Sequence, residues 1–223
     1  IFTSRNGVYI LDLAKNVEKL HEAQAYIHDV VKRGGMILYV GTKNHVKEAV
    51  KTNASSVGMP YINEHWIGGL FTNFKIVSQT IQKLKDLKAK QASGDLKKYT
   101  KKEQLEFARE IDRLEHLVGG AANLTRLPDA VFVVGAKAED TAIREARRVG
   151  LPIIALVDSN TSPEGIHYVI PGNDDAVKST TIITEIVTSM IREAQAAPKE
   201  PPKTAPKVAE AAPSKEVSKD EAK

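Results

Sequence analysis

Five short apolar runs, separated by stretches with helical periodicity, constrain this chain more than any other feature. They are Met36 to Val40, Tyr61-Ile62, Ala130 to Val134, Ile153 to Val157 and Tyr168 to Ile170. A run that is apolar at every position has no solvent face, so as a strand it is covered on both sides. Between the runs lie amphipathic helices. Asn16 to Arg33 carries Val17, Leu20, Ile27 and Val31 on one face and stops at Gly34-Gly35. The stretch after Gly41-Thr42 turns Val46, Ala49, Val50 and Val57 inward. Helices are also predicted over Glu139 to Val149, stopped by Gly150, and over Asp175 to Ala194. Val8 to Leu11 reads as one more strand. Strands buried on both faces and joined by helices make a parallel sheet with helices on both sides, and the crossovers are right-handed. The expected fold is therefore a flavodoxin-like, doubly wound, three-layer α/β/α sheet.

One interruption breaks this alternation. Val77, Ile81, Leu84 and Leu87 repeat at helical spacing until Ser93-Gly94-Asp95. Thr100-Lys101-Lys102-Glu103 has the form of a capping box, and Leu105, Ala108, Ile111, Leu114 and Val118 follow as a second stripe. Both stripes are narrow and their outer faces are charged. The expectation is an antiparallel coiled-coil hairpin, residues 74–118, inserted into a sheet domain built from 1–73 and 119–195. Residues 196–223 hold five of the ten prolines and no Leu, Ile, Phe, Tyr or Trp, which predicts a disordered tail.

Several functions are excluded early. With no cysteine there is no disulfide scaffold, thiol nucleophile or Cys-ligated metal. No apolar stretch approaches the roughly 20 residues of a membrane helix. The start, Ile1-Phe2-Thr3-Ser4-Arg5, does not resemble a signal peptide, and without an initiator Met it reads as the inside of a longer protein. Gly41-Thr42-Lys43 follows a strand and opens a helix. Lys43 follows Thr rather than Gly, however, and Asn44 stands where a phosphate loop needs Ser or Thr. A plain turn whose helix N-terminus holds an anion is the other reading. The six histidines show no zinc-protease spacing, and no nucleophile elbow is present. Asp129 and Asp158 flank strands; Asp158 reads as turn chemistry and Asp174-Asp175 as a helix cap. No catalytic residue, cofactor site or metal site is assigned.

Charge is more informative locally. From Lys75 to Lys102 there are nine lysines and only two acids, a local charge of +7 against +4 for the whole chain. A stripe of one sign is an electrostatic footprint for nucleic-acid phosphate, or else a solvated helix face. Beside it stands His65-Trp66-Ile67-Gly68-Gly69-Leu70-Phe71-Thr72-Asn73-Phe74, with the sole tryptophan and paired glycines. Its aromatics either anchor the hairpin at a bend or receive bases and sugars. The RNA-binding candidates are Arg5, Lys43, His65, Trp66, Asn73, Lys75, Lys83, Lys85, Lys88, Lys90, Lys97, Lys98, Lys101 and Lys102.

These residues resemble a known family. His65 to Lys75 resembles its basic-Trp-Leu-Gly-Gly-x-x-Thr-Asn-aromatic-Lys segment. Leu127 to Val134 resembles its second signature, and Ile170-Pro171-Gly172-Asn173-Asp174-Asp175-Ala176 its third. The family is ribosomal protein S2, in its bacterial or organellar form, and the resemblance runs from Ile1 to about Glu193. It implies a structural protein of the small ribosomal subunit without catalysis. It further implies contact with small-subunit rRNA at the body–head junction and with neighbouring ribosomal proteins, docking of protein S1 in bacteria, a cytoplasmic or organellar ribosome, and no homo-oligomer. The family's His-Phe-Gly-His stretch has no counterpart here. The competing reading is a doubly wound enzyme or nucleotide-binding module with a coiled-coil partner arm.

Overall fold

A computed structural model describes residues 3–5 and 8–197. The predicted tail beyond residue 197 lies outside the described residues. In chain order the elements are β1 (Thr3–Arg5), β2 (Val8–Ile10), α1 (Leu13–Lys32), β3 (Ile37–Val40), α2 (Lys47–Ser56), β4 (Tyr61–Ile62), α3 (Phe74–Ser93), α4 (Lys101–Val118), β5 (Ala130–Val134), α5 (Asp140–Arg148), β6 (Ile153–Val157), β7 (Tyr168–Pro171) and α6 (Val177–Ala196).

The five apolar runs form one all-parallel sheet in the order β4-β3-β5-β6-β7. This is the flavodoxin-like order, with its switch point between β3 and β5. Strand periodicity divides each run between the two faces. Leu38, Val40, Val131, Val133, Ile153 and Ala155 point to the side of α3, α4 and α5. Ile37, Tyr39, Ala130, Phe132, Val134, Ile154 and Leu156 point to α1, α2 and α6. The predicted strand at Val8 exists, but it pairs antiparallel with β1 in a separate two-stranded ribbon.

Two stripe assignments need correction. Val17 is 52% exposed; α1 buries Ile27 and Val31 as expected, together with Ala23 and Val30. In α4, Leu105 is 52% exposed and Ala108 is exposed. Phe107, one position earlier than Ala108, packs inward beside buried Ile111, Leu114 and Val118. Leu105 and Ala108 lie in the half of α4 that begins at the tip, away from the base where Val118, Ala121 and Leu124 meet the sheet core, so they need not be covered.

α3 and α4 pack on each other, and their apolar faces run into the sheet core through Val118, Ala121 and Leu124. A short 3₁₀ turn, Gly119–Ala121, closes this base against β4, and a Cβ at Gly120 would overlap the Tyr61 carbonyl. Lys83 pairs with Glu110 at 2.6 Å, and Lys88 with Glu115. Both pairs join residues 27 apart in sequence. Across a straight antiparallel seam, facing residues come closer in sequence toward the tip, so these two pairs do not lie on one such seam. The predicted capping box is present: Thr100 Oγ1 accepts from the Glu103 N–H, and Glu103 accepts from the Thr100 N–H at 2.9 Å. Thr100→Ala is expected to cost about 1 kcal/mol of stability, read by urea titration of helical circular dichroism.

Candidate functional site

The segment from His65 to Phe74 is an aromatic wedge tied to α5. Trp66 and Phe71 are 7% and 2% exposed, with ring centroids 5.0 Å apart. Gly69 has φ +87°, a left-handed conformation that glycine adopts without strain, and this provides the predicted bend. A single carboxylate gathers the donors of the segment. Glu145 Oε1 accepts from Trp66 Nε1 at 3.1 Å and from the Gly69 N–H at 2.8 Å. Its Oε2 accepts from the Phe71 and Thr72 N–H groups and from Thr72 Oγ1. Burial alone would push the Glu145 carboxyl up; the bonds from Gly69, Trp66, Thr72 and Phe71 outweigh it and hold it below the ordinary glutamate range. Trp66 is thus anchored in the fold, with its ring covered and its N–H occupied. His65 and Asn73 remain exposed on the same segment, as does Lys75 at the start of α3.

At the switch point the turn's donors and Lys43 are engaged by the protein's own carboxylates. The turn after β3 presents the Thr42 N–H and hydroxyl, and both donate to Glu139 Oε1 at 2.7 Å. A carboxylate therefore occupies the place at the turn where a bound anion would sit. Lys43 reaches across to Asp174 at 3.1 Å and Asp175 at 2.7 Å. Burial would pull the Lys43 ammonium down, but these carboxylates hold it up, while Lys43 holds Asp175 below its ordinary value. His45 Nε2 lies 2.9 Å from the Asp174 carbonyl. Lys43, named above as an RNA candidate, has its charge countered inside the fold. Asp174 and Asp175 do not cap α6. The N-cap residue is Ala176, with no side-chain cap bond, and Asn173 Oδ1 accepts from the Asp175 and Ala176 N–H groups in the turn that precedes the helix. Asp158 does serve its turn, accepting from the Ser159 N–H. Asp158, Asp174 and Asp175 bring oxygens within 4.8 Å of one another, an all-oxygen set of the kind that suits hard cations; Lys43 already places a positive charge against two of them.

The lysine stripe divides into paired and unpaired members. Lys83, Lys88 and Lys98 are paired with Glu110, Glu115 and Asp95. Arg113 and then Lys83 hold Glu110 at about 2. Lys75, Lys85, Lys90, Lys97, Lys101 and Lys102 are exposed and have no carboxylate within 4.0 Å among the described residues. The side chain of Arg5 lies outside the described residues.

The model of the family described as "Ribosomal protein S2" matches residues 1–194. The chain belongs to the ribosomal protein S2 family. It is 46% identical over 189 residues to the "Small ribosomal subunit protein uS2" of Shewanella pealeana, covering 85% of this chain and 78% of that protein. It is 42% identical over 198 residues to the protein of that name from Acidothermus cellulolyticus, covering 88% and 72%. A similar match, 42% over 193 residues, is to Mycobacterium leprae, covering 86% and 70%.

The three S2 signature segments have distinct places in this structure. The first is the wedge held by Glu145. The second leads into β5, and Asp129 Oδ2 accepts from the Met36 N–H at 2.8 Å, locking the entrances of β3 and β5 together. The third joins β7 to α6 and supplies the carboxylates that hold Lys43. The partners Glu145 and Glu139 had no signal in the sequence: each is an ordinary acid on or beside a charged helix, and its importance lies in donors more than 70 residues away.

Proposed function

We propose that the chain is a structural constituent of the small ribosomal subunit, acting in the ribosome by binding rRNA and neighbouring ribosomal proteins. Membership of the S2 family supports the ribosomal role and a non-catalytic one. The observation that carries the rRNA reading is the set of exposed lysines on α3 and around its tip that face no carboxylate among the described residues. The wedge and its Glu145 anchor set where α3 and α4 leave the sheet, so the lysines are presented from a fixed base. Contact at the body–head junction and docking of protein S1 extend this reading on the strength of the family resemblance, as does a single copy per particle. A doubly wound nucleotide-binding module is disfavoured by Glu139, which takes the donors of the turn after β3.

The test is the salt dependence of binding to a small-subunit rRNA fragment. Each neutralised phosphate contributes a log–log slope of about −0.7 to −0.9. Lys85→Gln and Lys90→Gln are expected to flatten the slope by up to that amount each. Lys83→Gln and Lys88→Gln should flatten it less, since Glu110 and Glu115 already counter those charges. The same slope for the wild type and for a variant with Lys75, Lys85, Lys90, Lys97, Lys101 and Lys102 all changed to Gln would overturn the reading.

A further inference from the structure

The tip between α3 and α4 carries an aromatic ring that the fold does not cover. Tyr99 is 47% exposed, whereas Tyr39, Trp66, Phe71 and Phe132 are buried. Its ring meets Phe107 edge-on, with centroids 5.2 Å apart and planes at 68°. An edge-on neighbour fixes the ring and leaves a face open. The backbone at Tyr99 is extended, with φ −89° and ψ 162°, between the short 3₁₀ helix Asp95–Lys98 and the first turn of α4. Lys97 and Lys98 immediately precede Tyr99 in the chain, and Lys101 and Lys102 follow within three residues.

The acids of this tip are already engaged. Asp95 accepts from Lys98 at 2.8 Å and from Ser93 Oγ at 2.7 Å, and these bonds hold its carboxyl below the ordinary range. Glu103 is turned back into the capping box, where it accepts from the Thr100 N–H and hydroxyl. Lys97, Lys101 and Lys102 are left without a carboxylate among the described residues. An exposed aromatic ring with lysines next to it in the chain that are uncompensated among the described residues matches the recognition of unpaired nucleotides, in which bases stack on rings and phosphates meet lysines.

We propose that Tyr99 stacks on an unpaired RNA base, with Lys97, Lys101 and Lys102 holding the adjoining phosphates. This rests on the rRNA reading above and adds to it a contact with single-stranded RNA, where the stripe alone would suit a duplex equally. A duplex offers no base face to a side ring, whereas a loop or bulge does.

The experiment titrates the full chain with a 12-nucleotide single-stranded oligoadenylate and, separately, with a 12-base-pair RNA duplex, followed by fluorescence anisotropy. Tyr99→Leu is expected to weaken single-strand binding about 5- to 100-fold without changing the salt slope. Duplex binding should change less than about twofold, and Tyr99→Phe should bind as the wild type does. Retained helical circular dichroism in both variants reports an intact capping box. Unchanged single-strand affinity in Tyr99→Leu, or an equal loss on single strand and duplex, would overturn the proposal. The lysine variants separate the two readings. If they flatten the slope while Tyr99→Leu has no effect, stacking fails and rRNA binding stands. If neither has an effect, both fail. A Tyr99→Leu variant that binds both RNAs normally yet no longer sediments with small subunits would assign the ring to a protein neighbour and overturn the proposal.

Discussion

Trp66→Ala is expected to destabilise the protein by about 3–5 kcal/mol, the usual cost of truncating a packed aromatic side chain. In a chain of this size that corresponds to a fall in melting temperature of about 10 °C. Two losses combine here. The ring leaves a void beside Phe71, and Glu145 loses the indole N–H that Oε1 accepts. Trp66→Phe keeps much of the volume and loses only the donor, so it should fall between the wild type and the alanine variant. Incorporation into small subunits should fall in the same order. A Trp66→Ala protein that melts normally but fails to bind rRNA would instead make the ring a contact residue.

Glu145→Gln should cost about 1–2 kcal/mol, the lower part of the range for a donor left unpaired because the site is only partly buried, although it barely alters shape. Each carboxylate oxygen of Glu145 serves more than one donor, so an amide NH₂ in place of either oxygen would face N–H groups and leave them unpaired. A buried donor without an acceptor costs about 1–3 kcal/mol. The same carboxylate makes a pH signature. Its carboxyl is held below the ordinary glutamate value, so its contribution is complete above about pH 4.5 and is lost as pH falls through the lowered value. Between pH 6 and 3 the wild type should therefore lose more stability than Glu145→Gln, and the gap between their melting temperatures should narrow toward the acid end. A gap that stays constant from pH 6 to pH 3 would show that the charge of Glu145 is not what holds the wedge.

Much of the sheet was legible because its strands are local runs. Ala130 to Val134 and Ile153 to Val157 are bounded by Pro128 and Pro152 and by the turn residues that follow, and both form with the predicted limits. The α3 stripe at Val77, Ile81, Leu84 and Leu87 is buried as expected. The α4 stripe differs from expectation at two positions: Leu105 is exposed, and Phe107 rather than Ala108 turns inward, since both fit a helical face and only tertiary contact chooses between them. The site was legible in its donors and not in its acceptors. Trp66 and the paired glycines are conspicuous, whereas Glu145 is one acid among the arginines of α5. Asp174 and Asp175 precede a helix and so imitate caps; their engagement with Lys43, more than 130 residues away, leaves no local trace.

The pairing of β3 with β5 has a consequence for how the chain is made. Ile37 meets Ala130, so the centre of the sheet joins segments some 93 residues apart. At about 5–20 residues per second, synthesis would leave β3 waiting roughly 5–20 s for its inner neighbour. Until then, β3 can pair only with the two residues of β4, and its other edge stays open. Such non-local pairing slows folding and lengthens the exposure of apolar edges. The α3–α4 excursion lies wholly within that interval and is built from nearby contacts, so it can form first. Once formed, it draws Asn73 and Gly119 toward each other and shortens the span still to be closed. The part of the molecule that presents the lysines would then also set the pace at which the sheet is completed.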